Sequence, residues 1–132
     1  MNILKGNIQE IEVNGDLSIV RVLVGNSIFS TIVIDTPETA GFLKIGNEVK
    51  VIFKETEVII GVGDMRGISL RNKLQGKVKA IDSDKLLSKL RMETEVGDIT
   101  SIITVNAVRQ LQIEKGMEVT AMIKTNEILL SE

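Results

Sequence analysis

The sequence contains no cysteine and no histidine, and its aromatic residues are three phenylalanines. Without cysteine there is no disulfide framework and no thiolate metal site. Without histidine the most common general base and metal ligand is missing, and a Ser-His-Asp triad is excluded. No pair of carboxylates stands out as catalytic. The sequence therefore predicts a protein that is not an enzyme, with no catalytic cofactor and no directly bound metal.

An excess of charge of one sign is also missing, since 16 basic residues face 18 acidic ones. Such a balance provides no general attraction to nucleic acid or to an anionic membrane. Single-stranded nucleic acid is usually bound by stacking bases on aromatic side chains in a basic groove, and this sequence has little of either. No apolar run approaches membrane-spanning length, and the first residues include no apolar signal-peptide region. We expect a cytoplasmic protein without direct nucleic-acid or membrane partners.

What the sequence does contain is an internal repeat. Residues 1–62 and 71–132 match each other at an offset of seventy positions without a gap, and such repeats decide the whole fold. Units of about sixty residues are near the lower limit for an independent hydrophobic core, so the copies should pack on each other or on other chains. The predicted division is a first barrel over 1–62, a linker over 63–68 and a second barrel over 69–132. The recurring residues include Asn2, Leu4, Gly6, Gly46, Glu48 and Lys54, which return as Asn72, Leu74, Gly76, Gly116, Glu118 and Lys124.

Both copies alternate apolar and polar residues with the period of two that is typical of half-buried strands. One short helix is expected over residues 104–111, where an N-terminal cap and Gly116 beyond the end are present. Its counterpart is residues 35–43, in which Pro37 would lie in the first turn. The predicted fold is all-β with one short helix per repeat, forming two tandem OB-like β-barrels. Gly6 and Gly76 indicate places where the backbone requires glycine.

Two weaker motifs have simpler explanations. Gly61, Gly63 and Gly67 lack the spacing and the following helix of a dinucleotide-binding loop, and a linker explains them better. Asp82 and Asp84 lack the glycine and the distal glutamate of a calcium loop, so they are better explained by a solvent-exposed turn.

A more specific motif covers residues 69–78, which read Ser-Leu-Arg-Asn-Lys-Leu-Gln-Gly-Lys-Val. This segment resembles the S-x-R-N-x-L-x-G-x-V signature of the molybdenum-binding Mop domain, a TOBE-type domain. Residues 113–119 resemble the family's L-x-x-G-x-E-V segment, and residues 122–125 resemble its closing I-K-A/S strand. With two copies, the chain is similar to tandem di-Mop proteins.

The resemblance implies binding of molybdate or tungstate, so any metal would be bound as its oxyanion. A tetrahedral oxyanion needs converging hydrogen-bond donors, of which charged side chains, hydroxyls and backbone N–H groups are the usual ones. The resemblance also implies that the Ser/Arg and Thr/Lys pairs come from different units and meet at an interface, in a homo-oligomer for which we favour a trimer. The implied oxyanion-binding residues are Ser69, Arg71, Thr104, Lys124 and the backbone N–H of Thr125.

The first copy differs at several of these positions. Met1 lies opposite Arg71 in the alignment of the copies, Ile34 lies opposite Thr104, and Glu55 follows Lys54 where Thr125 follows Lys124. Lys54 and the backbone N–H of Glu55 are weaker candidates for the site. Which of the two lysines meets Arg71 stays open, although Lys124 is favoured because a carboxylate beside Lys54 would repel an anion.

Asn72 is another weak candidate, because its recurrence as Asn2 fits a structural turn role at least as well. For the function we expect storage, buffering or sensing of the oxyanion. Two alternatives stay open: a regulatory oxyanion-sensing module that acts on a transcription regulator or transporter, and a structural or nucleic-acid-binding OB-like module.

Overall fold

The computed structural model describes all 132 residues and shows a nearly all-β protein. The first repeat forms β1 (Asn2–Asn14), β2 (Leu17–Val24), β3 (Ser27–Val33), β4 (Glu48–Phe53), a first 3-10 helix (Glu55–Glu57) and β5 (Ile59–Gly61). The second repeat forms β6 (Asn72–Ser83), β7 (Leu87–Thr94), β8 (Gly97–Thr104), α1 (Val105–Leu111), β9 (Glu118–Ile123), a second 3-10 helix (Thr125–Glu127) and β10 (Leu129–Ser131). These strands build two similar antiparallel sheets, which confirms the predicted fold class. No helix has the length and apolar character needed to cross a membrane.

The two repeats exchange their last strands. The first sheet has the order β10-β4-β1-β2-β3, and the second has the order β5-β9-β6-β7-β8. Strand β10 therefore pairs with β4, with Leu129 opposite Ile52, and β5 pairs with β9, with Ile59 opposite Met122. Neither 1–62 nor 69–132 supplies all five strands of one sheet by itself. The predicted ranges thus remain a division of the sequence into repeats.

Hydrogen bonds between the repeats fix the residue that precedes each exchanged strand. The Thr31 hydroxyl donates to the carbonyl oxygen of Ile128 over 2.8 Å, directly before β10. The Ser101 hydroxyl donates to the carbonyl oxygen of Val58 over 2.8 Å, directly before β5. Both hydroxyl side chains are buried, where an unpaired polar group would be costly. The exchange is thus fixed by matching contacts in the two halves.

One hydrophobic core is shared by both repeats. It consists almost entirely of aliphatic side chains, as the composition requires, and the rings of Phe29 and Phe53 stack with their centroids 6.4 Å apart. The counterparts of these rings in the second repeat are Ile99 and Ile123, which are fully buried as well. Because the core is continuous, each repeat depends on the other for burial of its apolar surface.

The helix predicted over residues 35–43 is not formed, and that prediction was wrong. This segment is a series of turns, in which the Thr39 hydroxyl donates to Asp35 Oδ1 over 3.0 Å and accepts from the Thr36 N–H over 2.8 Å. Short polar side chains compete for backbone groups in this way and favour turns over helices. Gly41 also stands where α1 has Leu111, and glycine is a poor helix former. The helix predicted over 104–111 is confirmed as α1, with Thr104 as its N-cap.

Candidate functional site

Strand pairing places Arg71 beside Lys124. Asn72, the first residue of β6, pairs with Ile123, the last residue of β9. The next residues outward along these antiparallel strands are Arg71 and Lys124, so two cations flank the same end of the second sheet. Both side chains are exposed and neither forms an ion pair within the chain. Arg71 Nη2 donates to the carbonyl oxygen of Ile68 over 2.7 Å, which leaves its other N–H groups available.

The neighbours of these two cations supply further donors at the same end. Ser69 lies in the exposed loop that leads into β6. Thr125 begins the second 3-10 helix directly after Lys124, and its carbonyl oxygen accepts from the Thr31 hydroxyl over 3.3 Å. We name the end formed by Ser69, Arg71, Lys124 and Thr125 the second corner. Four of the five main predicted residues thus lie on two adjacent chain segments.

The fifth predicted residue, Thr104, is not at the second corner of the same chain. It is the last residue of β8 and pairs with Leu87, while β7 in turn pairs with the far end of β6 around Ser83. Its hydroxyl oxygen accepts from the Ala107 N–H over 3.0 Å and caps α1. Strand β8 packs against the first 3-10 helix, which belongs to the other repeat. Within one chain, therefore, Thr104 and Arg71 lie apart.

The corresponding end of the first sheet carries different chemistry, and we name it the first corner. Since Asn2 pairs with Phe53, the next residues outward are Met1 and Lys54. The α-ammonium group of Met1 forms an ion pair with Glu55 Oε1. The hydrogen bond from this ammonium group, together with its charge and that of Lys89, holds the pKa of Glu55 below its usual value. The Glu55 carboxylate is therefore ionised and already paired.

A cavity of about 210 Å³ lies beside the first corner. It is lined by Met1 and Lys54, and also by Glu57 and Glu127 from the two 3-10 helices. The Met1 ammonium group is already paired with Glu55, and the two further carboxylates outnumber the one lysine, so this cavity is a poor receptor for an anion. The geometry of a single chain therefore favours the second corner over the first.

The weak candidate Asn72 has no free donor. Its Nδ2 group donates to the carbonyl oxygens of Ser30 over 2.9 Å and Ile123 over 3.0 Å. Its Oδ1 atom accepts from the Ser30 N–H over 2.7 Å, and the residue is buried. Direct contact between this side chain and a ligand would require breaking these bonds. These contacts favour the structural role, which the sequence had left open beside ligand binding.

Another cavity, of about 650 Å³, lies on the second sheet away from both corners. Its charged lining is mostly acidic, with Glu93, Glu95 and Glu118 against Lys77. No group of three histidine, cysteine, aspartate or glutamate side chains is arranged to hold a metal ion anywhere in the chain. This cavity was not predicted from the sequence, and its charge does not suit an anion.

Comparisons with known proteins agree with the repeat and with the motif. A family model described as the TOBE domain matches residues 68–130. Molybdenum-pterin-binding protein 3 of Clostridium pasteurianum is 36% identical over 64 residues, which are 48% of this chain and 94% of that protein. Molybdenum-pterin-binding protein MopB of Rhodobacter capsulatus is 30% identical over 116 residues, covering 85% of this chain but 43% of MopB.

A solved structure resembles the whole chain. It is the cytoplasmic molybdate-binding protein ModG with molybdate bound, which superposes with a TM-score of 0.90 at 27% identity. The match covers 98% of this chain and 94% of ModG. The similarity therefore extends over both repeats and includes their arrangement.

Proposed function

Because this chain belongs to the Mop family of TOBE-type proteins, with two copies of the domain in tandem, we propose that it binds molybdate at the second corner. The observation that carries this proposal is the pairing of β6 with β9, which sets Arg71 beside Lys124 at one exposed end of a sheet. Relatives of this chain are described as binding molybdate or a molybdenum-containing pterin. We assign the free oxyanion because the donors at the corner suit a small tetrahedral anion.

The chemistry of these groups fits such an anion. The guanidinium of Arg71 and the ammonium of Lys124 provide charge-assisted hydrogen bonds, which are about twice as strong as neutral ones. The Ser69 hydroxyl and the backbone N–H of Thr125 add neutral donors from other directions. The two cations and the backbone N–H cannot accept a hydrogen bond, which disfavours a protonated anion such as hydrogen phosphate, whose own proton needs an acceptor. Selection against sulfate would then depend on the size of the site.

We further propose that another chain completes this site. Thr104 lies away from Arg71 within one chain, so its hydroxyl can join the other donors only across an interface between chains. The same argument applies to Lys54 of the first corner, which could meet Arg71 of a neighbouring chain. The occupant of the interface would be a second copy of this protein, in a symmetric homo-oligomer for which a trimer is favoured.

The biological role we propose is a cytoplasmic binding protein that stores, buffers or senses molybdate or tungstate, without catalysis. Sensing would require a partner protein such as a transcription regulator or a transporter. The fold is shared with OB-like modules that bind nucleic acid, but the strands here offer few aromatic side chains and no basic groove, so we favour the anion.

Equilibrium dialysis against molybdate, tungstate and sulfate, followed by elemental analysis of the protein, tests this proposal. We expect molybdenum or tungsten to remain bound at a fixed ratio per chain, and sulfate at equal concentration not to displace it. Retention of neither metal above a control protein of similar charge would refute the proposal. The ratio bound at saturation would also count the sites.

A further inference from the structure

Asn72 connects the second corner to the other repeat, although it offers no donor to a ligand. We propose that Asn72 is a positioning residue, which fixes the spacing between the segments that carry Arg71 and Lys124. This inference rests on the proposed function of the second corner. It assigns part of that function to a contact with the first repeat, which contributes no proposed anion-binding residue to the corner within the same chain.

The geometry links three separate strands through one buried carboxamide. Asn72 is the first residue of β6, and its Nδ2 group donates to the carbonyl oxygen of Ile123, the residue before Lys124. The same group donates to the carbonyl oxygen of Ser30 on β3, whose N–H returns a 2.7 Å hydrogen bond to Oδ1. The side chain is 1% exposed. The residues directly beside Arg71 and Lys124 are thus both tied to β3.

Asn72 supplies hydrogen-bond partners that strand β3 lacks within its own sheet. This strand lies at the edge of the first sheet, so the backbone N–H and carbonyl of Ser30 that face away from β2 have no neighbouring strand. Asn72 satisfies both groups much as a paired strand would. Loss of this carboxamide would leave several buried or half-buried backbone groups without partners, which is costly. The ends of β6 and β9, which carry the two cations, would then be held together only by the pairing of these two strands.

The first corner provides a matched control within the same chain. Asn2 Nδ2 donates to the carbonyl oxygen of Thr100 over 2.8 Å, and Oδ1 accepts from the Thr100 N–H over 2.9 Å. Thr100 is the counterpart of Ser30 at the seventy-residue offset. Asn2 therefore makes the same pair of hydrogen bonds to the edge strand of the other sheet, at the corner without an arginine, but it lacks the further bond that Asn72 makes to Ile123. Its removal should weaken the fold in a similar way without disturbing Arg71 and Lys124.

The experiment compares Asn72→Ala with Asn2→Ala in the full chain. Thermal unfolding measures the structural loss, and titration calorimetry with molybdate measures the affinity. We expect both variants to unfold at similarly lowered temperatures. We expect only Asn72→Ala to lose affinity for molybdate, by roughly tenfold or more, which is typical when a contact that supports a ligand-binding group is removed. If Asn72→Ala does not fold, Asn72→Ser, which keeps one donor, replaces it with Asn2→Ser as its control.

A second measurement separates positioning from a general loss of structure. If Asn72 acts through Arg71, then adding Asn72→Ala to an Arg71→Ala protein should reduce the affinity much less than adding it to the wild-type protein. Equal affinities of Asn72→Ala and the wild type would overturn the inference while leaving the proposed function intact. Equal losses of affinity in Asn72→Ala and Asn2→Ala would overturn it too. A wild-type protein that binds no molybdate would instead refute the proposed function.

Discussion

The two corners of the molecule differ in the residues at a few matching positions. Where the second repeat has Arg71 and Thr125, the first repeat has Met1 and Glu55. The backbone at these positions follows the same register in both repeats. The difference in anion affinity that we expect between the corners is therefore a property of side-chain charge, and substitutions of single residues can test it.

Arg71→Ala should weaken molybdate binding while leaving the fold intact, because the side chain is exposed and forms one hydrogen bond, to the Ile68 carbonyl oxygen in its own loop. A hydrogen bond to a charged group contributes about 1.5–3 kcal/mol, so the affinity should fall by roughly one to two orders of magnitude. Titration calorimetry measures the change, with Arg91→Ala on the exposed face of β7 as the control. Unchanged affinity in Arg71→Ala would remove this residue from the site.

Lys124→Ala should reduce molybdate binding more than Lys54→Ala. Lys124 lies beside Arg71 through the register of β6 and β9, whereas Lys54 is followed by the ionised carboxylate of Glu55. A like charge within about 4–6 Å disfavours a bound anion. Parallel titrations of the two variants compare the lysines directly. Full binding by Lys124→Ala, together with loss of binding by Lys54→Ala, would mean that Arg71 meets the lysine of a neighbouring chain.

Among the elements, β1 shows most clearly how backbone packing restricts the sequence. Gly6 lies where a side chain would collide with its neighbours on β2, since an added Cβ would overlap the carbonyl oxygen of Leu23 and lie 2.8 Å from Val22 Cγ1. Its counterpart Gly76 is less tight, with the Cγ2 atom of Thr94 at 3.0 Å. The close approach supports the prediction that the backbone requires glycine at Gly6, whereas at Gly76 the neighbours would need to shift by only a few tenths of an ångström.

Gly6→Ala should destabilise the protein by about 1–3 kcal/mol or more, the usual cost of forcing extra atoms into a packed region. Gly41→Ala is the matched control, because an added Cβ there meets no atom within 4 Å. That change should be neutral or slightly stabilising, since alanine restricts the unfolded chain more than glycine does. Urea unfolding followed by circular dichroism gives both values. Similar stabilities of the two variants would show that β1 and β2 can move apart at little cost.

At the scale of the whole molecule, the exchange of β5 and β10 makes the repeats interdependent. Each sheet lacks its fifth strand when the other repeat is absent, and the hydrophobic core includes side chains from both. A separated repeat would also expose the apolar surface that the other repeat covers. The duplication has therefore produced one folding unit from two sequence units.

Residues 1–62 expressed alone should not form a stable folded monomer, because β4 would lose its partner β10 and the shared core would be opened. We expect a disordered or aggregating fragment by circular dichroism and light scattering, and we expect mixing with residues 63–132 to restore structure. The intact chain is the reference for cooperative unfolding. Cooperative unfolding of monomeric 1–62 would contradict this view of the fold.

The intact protein should form a trimer in solution. Its small aliphatic core gains from further burial, and Thr104 can reach Arg71 only from another chain. Light scattering coupled to size-exclusion chromatography measures the assembly, and titration of the same sample with molybdate measures binding. A monomer at micromolar concentration with full anion binding would show that one chain suffices for the site.

The sequence alone was sufficient for the fold class and the repeat, and it singled out the residues that we propose as the site. The alternation of apolar residues determines strands because successive side chains point to opposite faces, and the segment Ser69 to Val78 singles out the second repeat through its residue types. Thr104 was correctly placed at the start of a helix, because capping depends on local backbone geometry. The segment 35–43 was harder to predict, since its turn depends on how Asp35, Thr36 and Thr39 bond to one another.

Only the tertiary structure decided which repeat completes which sheet. A strand of three residues such as β5 or β10 is too short for its sequence to indicate its partner. Its sequence is the same whether it pairs within its own repeat or with the other one. The order of β6, β7 and β8 separates Thr104 from Arg71 within one chain, and the contact with β3 turns the Asn72 side chain inward. These outcomes depend on contacts between residues that are 42 to 98 positions apart, and the spacing of residue types along a chain contains no record of such distances in space.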